Sequence, residues 1–311
     1  MKNVILDVDT GIDDALALSY AVHSPELNIL GVTTTFGNIS ASEATRNTLQ
    51  LLKVLGAEDI PVYQGVNQTF AGHEPADKAT SIHGENGIGD AQLPAADKKA
   101  EDMIAHDFII SSVHKYPNDI TIITTGTQGN LARAIQKDPQ IVHLVKDVIL
   151  MGGAVTVPGN ITPYAEANIY HDPEAAQFTF QSGIPMTFVG LDVTMKTLLK
   201  RTVLDEWREK DTLLSRSLAD MCDFYMDAYA RNNPELNGCA LHDPLTVGIA
   251  IDPSFVKTKT MSVNVKTEGA EKGQTVGIEN PEGNIKVCLE VDVDRFVEHF
   301  LDWVCLSLIK N

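Results

Sequence analysis

The chain has 311 residues, with 24 Lys or Arg against 42 Asp or Glu, a formal charge of −18. So acidic a composition offers no basic face for neutralising phosphates, which argues against a nucleic-acid clamp and against binding to anionic membranes. With 43% hydrophobic and 21% charged residues the chain can bury a large core, and its length suits one α/β domain over residues 1–311.

Val4-Ile5-Leu6 is a short apolar run that ends in acids and predicts a strand. Residues 13–23 carry Ala and Leu at helical spacing, and 27–35 are rich in Ile, Val and Thr, so a helix and a second strand follow. Residues 42–55 predict another helix. Residues 64–99 are rich in Gly, Pro, Asp and Asn with weak periodicity, the pattern of a long irregular loop such as a lid. Helices are expected over 103–114, 131–136 and 174–181, alternating with strands over 119–125, 147–150 and 185–189. Helical segments at 203–229 and 242–251, a strand-rich stretch at 255–291 and a helix from 294 to about 308 complete the chain.

This alternation predicts an open, mostly parallel sheet flanked by helices. In such sheets ligands bind beyond the carboxyl ends of the strands. Those ends read Asp7-Val8-Asp9-Thr10-Gly11, Thr35-Phe36-Gly37-Asn38, Thr124-Thr125-Gly126-Thr127, Met151-Gly152-Gly153-Ala154 and Gly190-Leu191-Asp192-Val193. No apolar run approaches the roughly 20 residues of a membrane span. Met1 leads into the first strand without an apolar leader, and the four cysteines lack CxxC spacing, so a cytoplasmic protein with reduced thiols is expected.

Asp7, Asp9, Asp13 and Asp14 fall within eight positions at a strand end and helix start. Carboxylates so close repel one another unless a positive charge intervenes, and a hard divalent cation supplies more of it than a helix N-terminus does. The spacing is not that of an EF-hand. A solvated acidic turn is the plainer alternative.

The run Asp7-Val8-Asp9-Thr10-Gly11-Ile12-Asp13-Asp14-Ala15 resembles the signature of the inosine-uridine-type nucleoside hydrolases. The likeness continues through 31–38, Ile82-His83-Gly84-Glu85-Asn86-Gly87, Thr125-Gly126, Met151-Gly152-Gly153-Ala154, Gly159-Asn160, Ala165-Glu166-Ala167-Asn168, 172–176 and His242-Asp243-Pro244, in order over nearly the whole chain. The resemblance implies a Rossmann-like nucleoside hydrolase fold, bound Ca²⁺, and hydrolysis of the N-glycosidic bond of ribonucleosides in a homodimer or homotetramer.

Position by position, it implies that Asp9, Asp14 and Asp243 ligate the metal together with the backbone carbonyl of Thr125, and that Asp9 is also the general base. Asp7 is left as a supporting or helix-capping residue. Asp13, Asn38, Asn160, Glu166 and Asn168 match positions that hold ribose, whose hydroxyls pair well with amides and carboxylates. His242 matches the general acid for the leaving base, and His83 a second histidine near the base. Tyr225 and Tyr229, four residues apart, either line the base pocket or form an aromatic pair in the core. Ala167 stands where the family often has Phe, which enlarges the pocket or repacks its wall. Trp207 and Trp303 lie away from the motifs, so tryptophan stacking on the base is not expected. Uridine, inosine or both are the expected substrates. A haloacid-dehalogenase-type phosphatase fits poorly, since Gly11 stands where that class has Thr or Val. A calcium- or ribose-binding protein without turnover is opposed by the presence of both Asp9 and His242.

Overall fold

The apolar run at the start of the chain becomes the hub of the molecule. The computed structural model describes residues 1–75, 78–232 and 236–309. Strands are β1 (Lys2–Val8), β2 (Leu27–Thr34), β3 (Val62–Gln64), β4 (Ile120–Thr124), β5 (Asp147–Met151), β6 (Met186–Val189), β7 (Leu198–Leu199), β8 (Cys239–Ala240), β9 (Val256–Val265), β10 (Thr275–Glu279) and β11 (Ile285–Val291). Nine of them form one sheet in the order β10-β9-β11-β6-β5-β4-β1-β2-β3. It is parallel from β3 across to β11 and antiparallel where β9 joins β11 and β10, as the strand-rich stretch near the C-terminus led one to expect. From β1 the chain winds outward to β2 and β3, then returns to place β4 on the other side of β1. The gap beyond the carboxyl ends of β1 and β4 is therefore a topological switch point, where ligands of open α/β sheets bind.

Alternation along β1 sends Val4, Leu6 and Val8 into one apolar layer and Ile5 into the other. The first layer packs against α1 (Ile12–His23), α2 (Ala41–Val54) and four later helices, α9 (Thr202–Glu209), α10 (Leu213–Asn232), α11 (His242–Ile251) and α12 (Val293–Ile309). The second packs against α4 (Ala105–Lys115), α5 (Gly129–Lys137) and α7 (Pro173–Gln181). Three short helices complete the set, α3 (Thr80–His83), α6 (Ala167–His171) and α8 (Leu191–Thr194).

Two expectations change in detail. The helical stretch expected over 203–229 is two helices, α9 and α10, because Asp211 takes a left-handed φ of 53° and Thr212 and Ser215 cap each other's backbone N–H groups at 3.1 and 3.0 Å. The expected loop at 64–99 holds one ordered turn, α3, which carries His83; positions 76 and 77 of that stretch lie outside the described residues. Four- and five-residue helices such as α3, α6 and α8 are too short to register as a period of 3.6.

Trp207, on α9, is fully buried in the first apolar layer, well removed from the site described below. Replacing it with Ala should cost about 3–5 kcal/mol in urea-induced unfolding. A loss under about 1 kcal/mol would show that the α9–α10 layer does not depend on it.

Candidate active site

Asp9, Thr10 and Gly11 lead from the end of β1 straight into α1. The Gly11 N–H donates to Asp14 Oδ2 at 2.7 Å, closing the first turn over the acid cluster. A side chain at Gly11 would sit 2.7 Å from both Asn38 Nδ2 and His83 Nδ1, so this approach requires glycine. Gly37 is tighter still, since a Cβ there would lie 2.0 Å from Asp9 Oδ2. That closeness lets the Asn38 backbone N–H reach Asp9 Oδ2 at 2.7 Å while Asn38 Nδ2 donates to Oδ1 at 3.2 Å. Asp9 is thereby held in one orientation.

The other acids gather beside it. Thr125, just past β4, donates its hydroxyl to Asp14 Oδ1 at 2.6 Å. Packing of α11 on α1 brings Asp243 across from the far end of the sequence. Asp13, Asp14 and Asp243 then each offer one oxygen, all within 4.8 Å of one another. Asp9 is not in that trio, but its carboxylate lies in hydrogen-bond contact with Asp14. The Thr125 carbonyl accepts from Asn168 Nδ2 at 2.7 Å. The grouping differs from the expected ligand set by bringing Asp13 into the cluster and setting Asp9 to one side of it.

All four acids are buried, and burial, reinforced by their mutual repulsion, pushes their carboxyls up: Asp13 and Asp14 to about 6, Asp9 and Asp243 well above the usual carboxylate range. Among the described residues no Lys or Arg forms an ion pair with any of them. Asp13 Oδ1 and Asp243 Oδ1 are buried without a hydrogen-bond partner. Orphaned carboxylate oxygens converging from two helix starts, with hydroxyl and carbonyl oxygens beside them, are a donor set suited to a hard divalent cation.

Asp7 plays a different part. It faces the opposite side of the sheet, where its Oδ1 accepts from Thr33 Oγ1 at 2.7 Å and from Asn130 Nδ2 at 2.8 Å. It ties β1 to β2 and α5, and burial pushes its carboxyl up to about 6.

Above the acids opens a cavity of about 670 Å³. Asp13, Asn38, His83, Thr125, Asn160, Glu166, Asn168, Tyr225, Tyr229, His242 and Asp243 all line it, whereas Asp9 and Asp14, also expected at the site, are not among its lining residues. Several also hold the wall together. Glu166 caps α6 through the N–H groups of Asn168 and Ile169 and also accepts from Gly153 N at 2.8 Å. Asn160 Oδ1 accepts from Ala167 N at 3.0 Å, so the small residue at 167 is part of the rim.

The lining also has an aromatic, neutral part. His83 Nδ1 accepts from Ile12 N at 3.2 Å, which leaves the ring hydrogen on Nε2. Tyr225 donates to Asp13 Oδ2 at 3.3 Å and stacks edge-on against Tyr229, whose hydroxyl lies 2.7 Å from His242 Nε2. Burial lowers both histidines to about 4 and raises both tyrosines above their ordinary value. Tyr225 also joins the apolar layer, so the two readings of this pair both hold for it.

Sequence reasoning missed Asp192, His171 and Thr194. Asp192 accepts from Val155 N at 2.9 Å and Thr156 N at 2.6 Å, pinning the loop that carries Asn160. Its position just past β6 was the available signal. His171 lines the cavity from the end of α6, and Thr194 touches His242 Nδ1 at 2.7 Å. No motif marks either one.

The raised carboxyls set the pH behaviour of the cluster. Asp13 and Asp14 hold protons up to about pH 6 when folded but only to about 3.8 when unfolded. The cation-free fold therefore binds extra protons between those values and loses stability as pH rises through them. A bound cation removes that loss. The gap in Tm between cation-loaded and chelated protein should accordingly widen from pH 5 to pH 7. A gap that stays constant or narrows would disconnect the cluster from cation binding.

The description "Inosine-uridine preferring nucleoside hydrolase" belongs to the family model that matches residues 4–298. Uridine nucleosidase 1 of Arabidopsis thaliana is 37% identical over 309 residues, covering 96% of this chain and 91% of its own length. The inosine-uridine preferring nucleoside hydrolase of Crithidia fasciculata is 35% identical, covering 97% and 96%. Among solved structures, a purine-preferring ribonucleoside hydrolase from Gardnerella vaginalis superposes with a TM-score of 0.97 at 41% identity, over 100% of both chains. With the acid cluster, the cavity beside it and the switch-point position already in place, these matches make the chain a member of the inosine-uridine preferring nucleoside hydrolase family, and so a ribonucleoside hydrolase.

Proposed function

We propose that the enzyme cleaves the N-glycosidic bond of nucleosides such as uridine and inosine, giving ribose and free base, with Ca²⁺ at the acid cluster. One observation carries this reading: a single cavity is lined both by buried carboxylates with unpaired oxygens and by a hydrogen-bonded His–Tyr pair. Bond cleavage builds positive charge on the ribosyl ring and negative charge on the base, and the two sides of the cavity answer those two needs.

Asp9, Asp14 and Asp243, with the Thr125 carbonyl and Asp13 close by, would hold the cation; a set made only of oxygen and rich in carboxylate suits Ca²⁺. When bound, the ion supplies Lewis acidity that makes a coordinated water a better nucleophile near neutral pH. Asp9, fixed by Asn38, takes the proton of the water that attacks C1′. Asp13, Asn160, Glu166 and Asn168 bind and orient the ribose hydroxyls. As the C1′–N bond breaks, its electron pair leaves with the base, and His242 provides the proton that neutralises it, directly or through the Tyr229 hydroxyl. His83 Nε2–H is available as a second donor to the base.

Reducing-sugar release from a nucleoside panel tests the reaction itself, and elemental analysis should find about one Ca²⁺ per chain. Asp9→Asn keeps the shape but not the proton acceptor, so kcat should fall by about 10²–10⁴. Near-wild-type turnover in that variant would remove Asp9 from the base role. 2′-Deoxyribonucleosides should be poor substrates, since each buried group left unpaired costs about 1–3 kcal/mol. His242→Ala should slow inosine far more than an activated aryl riboside, whose leaving group needs no proton. An equal loss on both would show that His242 is not the donor.

A further inference from the structure

His242 is gripped at both ring nitrogens. Nε2 lies 2.7 Å from the Tyr229 hydroxyl and Nδ1 lies 2.7 Å from Thr194 Oγ1, and Thr194 is fully buried. A neutral imidazole has one donor and one acceptor nitrogen. Where the Tyr229 hydroxyl donates to Nε2, the ring hydrogen sits on Nδ1 and the Thr194 oxygen receives it.

We infer that Thr194 is a positioning residue for departure of the base. Its hydroxyl accepts from His242 Nδ1–H, fixes the ring against rotation, and reserves Nε2 for the proton that goes to the leaving group. This rests on His242 being the donor, as proposed above. The same logic governs other catalytic and metal-bound histidines, where the partner of one nitrogen decides what the other can do.

The surroundings of Thr194 are built for such a role. It ends α8, where Thr194 N donates to Gly190 O at 3.2 Å and Leu191 N to Gly153 O at 2.9 Å. The Thr197 hydroxyl donates to the Thr194 carbonyl at 3.0 Å, and Leu241 N donates to the Thr197 carbonyl at 2.8 Å. The backbone just before His242 is thus tied to the turn just after Thr194, so the two side chains keep their register.

Charge and protons balance around this contact. His242 first takes up a proton at Nε2 from solvent; as the C1′–N electron pair goes to the base, that proton goes to a base nitrogen, with Tyr229 able to pass it on. The ring that remains is neutral, carries its hydrogen on Nδ1, and is the form Thr194 already holds. Water adds its hydroxyl to C1′ and its proton to Asp9; exchange with solvent returns that proton and reloads Nε2.

The test compares Thr194→Val, Thr194→Ser and His242→Ala on inosine and on p-nitrophenyl riboside. Thr194→Val should lower kcat on inosine by about 10–100-fold, the usual cost of losing such a partner, with KM and p-nitrophenyl riboside turnover nearly unchanged. Thr194→Ser restores the hydroxyl and should restore inosine turnover to within about threefold of wild type. In ¹⁵N-histidine-labelled enzyme, the His242 signals, identified by their absence in His242→Ala, should show Nδ1–H in wild type and lose that preference in Thr194→Val. Inosine cleaved at the wild-type rate by Thr194→Val, equal losses on both substrates, or an Nε2–H pattern in wild type would each overturn the inference. If Thr194→Val does not fold, the wild-type pattern and Thr194→Ser kinetics decide. His242→Ala separates the two claims. An equal loss on both substrates there defeats the donor role, whereas selectivity in His242→Ala without selectivity in Thr194→Val defeats Thr194 alone.

Discussion

Burying several like charges in one place is the costliest thing this fold does, and much of the site is arranged around it. Asp9, Asp13, Asp14 and Asp243 are sunk at the end of the central strand with no basic side chain paired to them among the described residues. Left to themselves such groups hold their protons, as the direction of their pKa values indicates. What the chain supplies instead is geometry. Gly11 and Gly37 give up side chains so that Asn38 and the first turn of α1 can clasp the acids, and Thr125 fixes Asp14 from the neighbouring strand. The remaining orphaned oxygens create a demand for an external cation, and the proposed Ca²⁺ meets it.

The aromatic part of the lining solves the complementary problem. A base that departs with an electron pair needs a proton, and a proton donor beside four acids is at risk of pairing with them. His242 sits next in sequence to Asp243, yet its ring is engaged at both nitrogens by neutral hydroxyls. Tyr225 stands between the two halves, with its hydroxyl on Asp13 and its ring against Tyr229. Acidic and proton-donating groups thereby line one cavity without pairing as ions, which favours opposite charges developing on the two products.

The loops that close the cavity are held by side chains both outside and inside the expected chemistry. Asp192 pins the segment carrying Asn160, and Glu166 spends most of its hydrogen-bonding capacity on α6 and Gly153. Residues that a motif marks as ribose contacts are therefore also the mortar of the wall. A substitution at Glu166 would disturb Asn168 and, through it, the Thr125 carbonyl.

The sequence by itself determined the parallel α/β architecture, because apolar strands alternating with amphipathic helices have few other ways to bury both faces. It also determined the acid cluster at the first strand end, where four carboxylates in eight positions stand out from any background, and the motif order that places Asn38, His83, Asn160, Glu166, Asn168 and His242 on one cavity. Helix boundaries at Asp211 and the turn carrying His83 escaped it, since a left-handed residue or four residues of helix leave no periodic trace. Only the tertiary structure decided which acids group most closely, since Asp13 rather than Asp9 completes the trio with Asp14 and Asp243 through the packing of α11 on α1. It alone decided that Asp7 faces the other side of the sheet and that Thr194 meets His242 across 48 positions of chain. Contacts of that kind depend on how distant segments dock, and no local pattern of residues encodes a distance between them.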